Sequence, residues 1–296
     1  LQSTVRNYVL SHDMEFTSSS RWLGTYTVDT SEHHNGAKSL KVTDNSYTYQ
    51  KIEIKNIADK TYTLSAYVKG DSQKGYVQLY YKDSVTEQWV RDTREIELSD
   101  IWTRVQHTIT VPSAAQNSSL RIRFGVNDGY SMYVDDVQLE NGPVMNRFNY
   151  VKNGTFTESA GTFSVANWDE DALNEDKDGT ESGGYKITGS IGSYKYLSQT
   201  IKVSGNEGDE YVASVWAKGN ILPKTYRKDN KISRAGIRVS FYDSAEEAHS
   251  TYIEVSSKTD QWQYVSGSAV APCDYTKIEY RLFSYAGKNS VIFDNA

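Results

Sequence analysis

Cysteine is almost absent: Cys273 is the single one in 296 residues, so no disulfide can close within the chain and no thiolate metal site can be assembled. That scarcity fits a reducing cytosol and equally a Gram-positive cell surface. Long apolar runs are missing too, and nothing approaches the roughly 18–20 consecutive apolar residues a membrane span requires; the chain reads as a soluble one. Positive charge is in deficit. With 32 Lys and Arg against 38 Asp and Glu, the net charge of -6 offers no footprint for nucleic acid or an anionic membrane. Catalytic signatures are lacking as well: G-x-S-x-G, H-E-x-x-H, G-x-x-x-x-G-K and G-x-G-x-x-G all fail to occur. The chain opens at Leu1 with neither an initiator Met nor a signal-like apolar segment, so a targeting segment is expected to have been removed or to lie elsewhere.

Aromatics, by contrast, are abundant. The 23 Tyr, 6 Trp and 8 Phe exceed what disordered chains carry, so the chain folds. It is also internally repeated. Asn7-Tyr8-Val9 returns as Asn149-Tyr150-Val151, Gln50-Lys51-Ile52 as Gln199-Thr200-Ile201, and Ser65-Ala66-Tyr67-Val68-Lys69-Gly70 as Ser214-Val215-Trp216-Ala217-Lys218-Gly219. Asp83, Trp102, Pro112, Arg123, Gly129 and Asp135 then match Asp243, Trp262, Pro272, Arg281, Gly287 and Asp294 in unbroken order. The spacing between copies widens only across the acidic run Asp169 to Asp178 and the segment Ile221 to Lys231 with Pro223, as insertions in loops would require. The turn Glu140-Asn141-Gly142-Pro143 separates the copies, giving domains at 1–142 and 146–296. Copy two stops at Phe293-Asp294-Asn295-Ala296, short of the ending of copy one; a piece cut from a longer array is expected to look this way.

Apolar residues alternate with period two, as in Tyr62-Leu64-Ala66-Val68, Leu120-Ile122-Phe124-Val126 and Ile237-Val239-Phe241. About eight or nine short strands per copy, with no helix between them, predict an all-β protein of two tandem antiparallel β-sandwiches, jelly rolls in preference to immunoglobulin-like domains.

Several segments then carry a family likeness: Asn7-Tyr8-Val9 followed by Met14-Glu15-Phe16, the loop Trp22, His34-Asn35-Gly36-Ala37-Lys38, the strand Tyr62 to Gly70, and the ending Tyr133-Val134-Asp135-Asp136-Val137-Gln138-Leu139-Glu140. Together they resemble jelly-roll carbohydrate-binding modules (CBM4/9/22 type) that accompany glycoside hydrolases. The joint Gln138 to Asn149 resembles those between tandem modules in large RHS/YD-repeat wall-associated proteins of Gram-positive bacteria. This implies a non-catalytic module of an extracellular or cell-wall-associated protein, binding polysaccharide or cell-surface glycan on its concave sheet. It also implies a structural calcium held by Glu15 with Asp135 or Asp136 in copy one. In copy two Asp294 would need Glu158, which is displaced by one residue; alternatively these acids pair with Lys or cap turns.

The face opposite the core supplies candidate glycan contacts, since aromatic rings flanked by long polar donors suit a sugar's C–H face and hydroxyls. They are Tyr67, Gln78, Tyr80, Arg121 and Arg123 in copy one and Trp216, Arg238, Tyr242 and Arg281 in copy two, with Tyr67, Tyr80 and Arg123 expected to line one groove. The same residues would equally serve as ordinary strand formers under a loop or a neighbouring domain. Trp102 and Trp262 are expected in the core or at a sheet edge, Trp89 at a loop surface, and His33-His34 in a solvated loop. The run Asn174 to Gly179 imitates a calcium loop of the EF-hand kind. It lacks the first Asp and places Tyr185 where a bidentate Glu is needed, so it reads as a solvated loop. Two other functions stay open: a structural spacer without ligand, and a glycan-active enzyme working through paired carboxylates.

Overall fold

The computed structural model describes residues 7–16, 21–71, 74–154, 156, 168–170, 184–190, 192–219, 233–255, 261–285 and 290–296. Glu158, Gly287, the run 174–179 and the segment 221–231 lie outside the described residues. The chain divides into two compact units, Ser3–Tyr150 and Val151–Ala296. Among the described residues there is no helix, and so none long and apolar enough to cross a membrane.

The first unit runs β1 (Leu23–Gly24), β2 (Thr27–Asp29), β3 (Ser39–Thr43), β4 (Tyr47–Glu53), β5 (Thr61–Gly70), β6 (Lys74–Asp83), β7 (Trp89–Glu97), β8 (Thr103–Thr110), β9 (Ala115–Val126) and β10 (Ser131–Asn141). They form a front sheet of order β1-β4-β9-β6-β7 and a back sheet of order β2-β3-β10-β5-β8, antiparallel throughout. The second unit repeats this with β11 (Asp169–Glu170), β12 (Tyr185–Thr188), β13 (Tyr194–Ile201), β14 (Glu210–Gly219), β15 (Arg234–Tyr242), β16 (Ala248–Glu254), β17 (Gln263–Val270), β18 (Lys277–Tyr285) and β19 (Ser290–Asp294). Its front sheet is β11-β13-β18-β15-β16 and its back sheet β12-β19-β14-β17. The predicted all-β tandem of sandwiches is thus what forms.

Alternation explains the packing. Leu40, Leu64, Leu79, Ile122, Phe124 and Val134 point between the sheets of the first unit and are fully buried, as are Val215, Ile237, Phe241, Leu282 and Phe293 in the second. Each such burial is worth about 1.5–3 kcal/mol, and a one-residue slip would turn the whole set outward, so the register is fixed.

The duplication extends to buried polar groups. Gln50 sits where the pattern calls for an apolar side chain; its Oε1 accepts from the Leu10 amide at 2.9 Å and its Nε2 donates to the Leu10 carbonyl at 2.8 Å. Gln199 clasps Lys152 in the same way. The indole of Trp22 donates to the Ser11 carbonyl at 3.1 Å, and that of Trp168 to the Asn153 carbonyl at 3.1 Å. Both tryptophans are buried, and a buried donor left without such a partner would cost about 1–3 kcal/mol.

The connector after the turn belongs to the first unit. Glu140 accepts from the Asn146 amide at 2.9 Å, Gln138 from the Asn149 amide at 2.8 Å, and Phe148 packs edge-on against His12 with ring centroids 5.2 Å apart. The units therefore part at Tyr150/Val151, beyond the turn at 140–143.

Candidate functional site

The outward side chains of the front sheet stand in rows across its strands. In the first unit one row is Tyr49, Arg123, Gln78 and Thr93; the next is Lys51, Arg121, Tyr80 and Arg91. Although they point away from the core, Gln78 and Tyr80 are only 4% and 6% exposed, because neighbouring side chains lean over them. Gln78 is fixed from both ends: its Oε1 accepts from the Tyr80 hydroxyl at 2.7 Å, and its Nε2 donates to Thr93 Oγ1 at 3.1 Å.

Each arginine is stacked on rings. The Arg123 guanidinium lies 3.7 Å from the centre of the Tyr47 ring and 5.1 Å from that of Tyr80; Arg121 lies 4.4 Å from Trp89 and 5.2 Å from Tyr49. Such contacts contribute about 0.5–2 kcal/mol each and hold the guanidinium flat. Beside this cluster opens a cleft of about 280 Å³, lined by Tyr76, Gln78, Arg91, Glu95 and Arg123 among others. Gly125 admits it, since the Tyr76 ring lies across the place a β-carbon would take. Tyr47, Tyr49, Tyr76 and Arg91 were not among the sequence candidates. Trp89, expected at a loop surface, opens β7 and stacks on Arg121 instead.

Tyr67 does not share this groove. It lies on β5, in the back sheet, whereas Tyr80 and Arg123 lie in the front sheet. The expected groove of Tyr67, Tyr80 and Arg123 is therefore corrected: period two tells which residues of a strand point outward but not to which sheet the strand belongs. The His34 ring covers Tyr67, stacked at 3.5 Å and 14°, and its Nδ1 is 2.7 Å from Asp136 Oδ2. Thus His33 is exposed as expected while His34 is not in a solvated loop. Trp102 packs edge-on against His34 and Tyr133 on the outer side of the back sheet, half-buried. Trp262 is 37% exposed.

The second unit separates its candidates likewise, with Trp216 on β14 of the back sheet and Arg238, Tyr242 and Arg281 on the front sheet. The central row there is Ser198, Arg281, Arg238 and Tyr252. Glu279 bridges both arginines, at 2.5 Å to Arg238 and 2.8 Å to Arg281. Tyr242 stands at the end of β15, its ring 4.9 Å from Lys277 Nζ.

The acids of the family ending come together at a bulge. The β5–β10 register shifts between Asp135 and Gln138, with Asp136 at φ 46°, and both carboxylates end fully buried side by side. The loop 34–37 wraps them: Asp135 Oδ2 accepts from the amides of His34 at 2.8 Å and Asn35 at 3.2 Å. From the other side of that loop Glu15 Oε1 accepts from the Ala37 amide at 2.6 Å. Burial pushes the Asp135 carboxyl up to about 8, the adjacent Asp136 charge pushes the same way, and the two loop amides oppose it. One oxygen, Asp136 Oδ1, is buried without a hydrogen-bond partner. A buried carboxylate pair with one orphaned oxygen is the kind of donor a hard cation such as Ca²⁺ takes, but among the described residues Glu15, Asp135 and Asp136 do not bring three oxygens within 4.8 Å of one another, and His34 Nδ1 already sits on Asp136. In the second unit Asp294 is 3% exposed, but the residue in the place of Asp136 is Asn295, at φ 52°, which donates to Asp294. Elsewhere Asp243, Glu247 and His249 cluster at a turn where Asp243 Oδ1 accepts from the Ala245 and Glu247 amides, both at 2.9 Å; that carboxylate is serving the turn.

Residues 6–129 match the family described as carbohydrate binding domain, bearing out the family resemblance across the first unit. The tRNA nuclease WapA of Bacillus subtilis (strain 168) is 28% identical over 161 residues, 48% of this chain and 7% of that protein. The tRNA(Glu)-specific nuclease WapA of Bacillus subtilis subsp. natto is 23% identical over 280 residues, 88% of this chain and 12% of that protein. The chain thus spans only a small part of the length of these relatives. Among solved structures, the tandem CBM22-1-CBM22-2 domain of Paenibacillus barcinonensis Xyn10C aligns over 99% of this chain and 97% of its own, at 13% identity and a TM-score of 0.39. The TmCBM61 structure in complex with β-1,4-galactotriose aligns over 46% of this chain and 99% of its own, at 16% identity and a TM-score of 0.35.

Proposed function

We propose, from the match of residues 6–129 to the carbohydrate binding domain family, that the first unit is a non-catalytic glycan-binding module whose site is the front-sheet cleft lined by Gln78, Arg91 and Arg123, beside Tyr80 and Arg121. The observation that carries this reading is the cleft of about 280 Å³ beside a held Gln78 and two stacked arginines, on the sheet that faces away from the core. One carboxylate, Glu95, lines that cleft, whereas glycoside hydrolysis works through a pair, which supports binding without turnover. The partner is a polysaccharide or cell-surface glycan, and the setting is extracellular or cell-wall-associated.

A calcium ion in the first unit would be held by Asp135 and Asp136, neutralising the buried acids and tying the loop 34–37 to β10. That ion's contribution is structural, and no step of glycan binding runs through it.

For the second unit one observation favours a spacer: Glu279 occupies Arg238 and Arg281 of the front sheet, and Glu254 occupies Arg234, which leaves these arginines internally paired. Affinity electrophoresis of the whole chain through gels cast with neutral and acidic polysaccharides tests the reading. Retardation by at least one of them is expected, lost in Arg123→Ala but kept in Arg281→Ala. Free migration in every gel would sink it.

A further inference from the structure

Resting on the glycan-binding reading, we propose that the groove of the first unit takes an anionic glycan, with the carboxylate or phosphate of the polymer seated on Arg121 and Arg123. Three observations carry this.

The first is that aromatic faces beside the cleft are already used by arginines, Tyr76 excepted. A neutral sugar binds by laying its C–H face on a ring, but the rings of Tyr47 and Trp89 carry guanidinium groups at 3.7 and 4.4 Å from their centres. What the arginines offer beside these rings is their terminal N–H groups, which suit a carboxylate or phosphate in two-point contact.

The second is unbalanced charge. Among the described residues no carboxylate lies within ion-pair distance of Arg91, Arg121 or Arg123, in a chain whose net charge is -6. The Nε atoms of Arg121 and Arg123 are buried without a hydrogen-bond partner, as are those of Arg238 and Arg281, so a ligand would meet the terminal N–H groups. The second unit shows how the same fold cancels such a pair: Glu279 bridges Arg238 and Arg281, and the residue in the place of Glu279 in the first unit is Arg121. One chain has therefore closed one of these rows with an anion of its own and left the other without one.

The third bears on which polyanion. Lys51 is paired with Glu53 at 2.6 Å and Lys74 with Glu95 at 3.5 Å, so carboxylates border the uncompensated arginines. Those acids oppose any polyanion alike; what favours an acidic glycan over RNA is that the rings on which bases would stack, Tyr47 and Trp89, already carry guanidinium groups.

Calorimetry on the 296-residue chain tests this with polygalacturonate, its fully methyl-esterified form, poly(glycerol phosphate), neutral xylan and a single-stranded RNA oligomer. Polygalacturonate or poly(glycerol phosphate) is expected to bind at least about tenfold tighter than the ester or xylan, and the tighter of the two identifies carboxylate or phosphate as the source. That affinity should fall between about 50 and 200 mM salt, and fall about tenfold again in Arg121→Gln. Arg91→Glu, at an exposed position where folding is not in question, should do the same. Equal binding of ester and acid, untouched by Arg91→Glu, would overturn the anionic assignment and leave glycan binding standing. Binding of RNA above both acidic polymers would overturn it in favour of nucleic acid. No binding of any polymer would remove this inference together with the reading beneath it.

Discussion

The two units share one frame and use it differently. Arg123 stacks on Tyr47 at 3.7 Å, and Arg281, its partner in the repeat, stacks on Tyr196 at 3.8 Å. Gln50 and Gln199 clasp the entering chain alike. Around these shared pieces the outward rows have diverged: Arg121 corresponds to Glu279 in the repeat, Gln78 to Arg238, and Tyr80 to Ser240. The bulge differs as well, with Asp135 and Asp136 in one unit and Asp294 and Asn295 in the other. Close packing between the sheets penalises change of shape by several kcal/mol, whereas outward positions tolerate changes of charge sign. A duplicated sandwich therefore keeps its interior and varies its surface chemistry.

The comparison can be broken at several levels. If the two buried tryptophans are equivalent, Trp22→Ala and Trp168→Ala should each destabilise their own unit by about 3–5 kcal/mol, the cost of emptying a large buried site; unit-resolved hydrogen exchange reads this. Unequal or cross-unit losses would deny the equivalence. Next, calcium should stabilise the first unit only, by about 2.7 kcal/mol at a hundredfold excess over Kd. Asp136→Asn, which copies Asn295, should abolish the gain, and a first unit indifferent to EDTA would exclude the ion. In EDTA the same site has a pH signature. The folded state keeps the Asp135 proton up to about 8 while the unfolded chain releases it near 4, so the folded state binds more protons across that window. Stability of the first unit should thus fall as pH rises from about 4 to 8, and Asp135→Asn should flatten the slope.

At the surface, Arg121→Glu should convert the first row to the second kind and weaken glycan binding by about 1.5–3 kcal/mol, the worth of a charge-assisted contact. Glu279→Gln should give the second unit salt-sensitive binding it otherwise lacks. A swap that leaves both affinities unchanged would detach the arginines from function. The smallest effect is expected from Trp102→Ala, about 0.5–1.5 kcal/mol of stability, because its ring makes edge contacts on an outer surface instead of filling the core.

How far residues alone lead can be seen at particular positions. The strands and their inward faces follow from alternation, and Arg123 and Arg281 were visible through the repeat. Tyr47 was visible by the same logic, since the spacing that relates Gln50 to Gln199 also relates Tyr47 to Tyr196. What could not be read is which sheet each strand joins. Tyr67 and Tyr80 sit in equally regular patterns, and only the crossing of β5 to pair with β10, and of β6 to pair with β9, puts them on opposite sides. The fate of His34 was hidden for a related reason: it depends on a loop folding over a bulge about a hundred residues away in sequence, a contact no local pattern encodes.

The segments that flank each sandwich also have a mechanical meaning. Asn7 donates to the Val137 carbonyl at 2.9 Å and accepts from the Leu139 amide at 3.1 Å, while the Tyr8 amide donates to the Leu139 carbonyl at 2.9 Å. In the second unit the Ala296 amide donates to the Gly154 carbonyl at 3.0 Å. Entry and exit of each sandwich are therefore stitched together. A pull between residues 7 and 139 would load this short seam before any sheet, and while the seam holds, the sandwich behind it carries almost none of the tension. Such a bead adds little length to a taut chain and hangs from it folded, its groove intact under load.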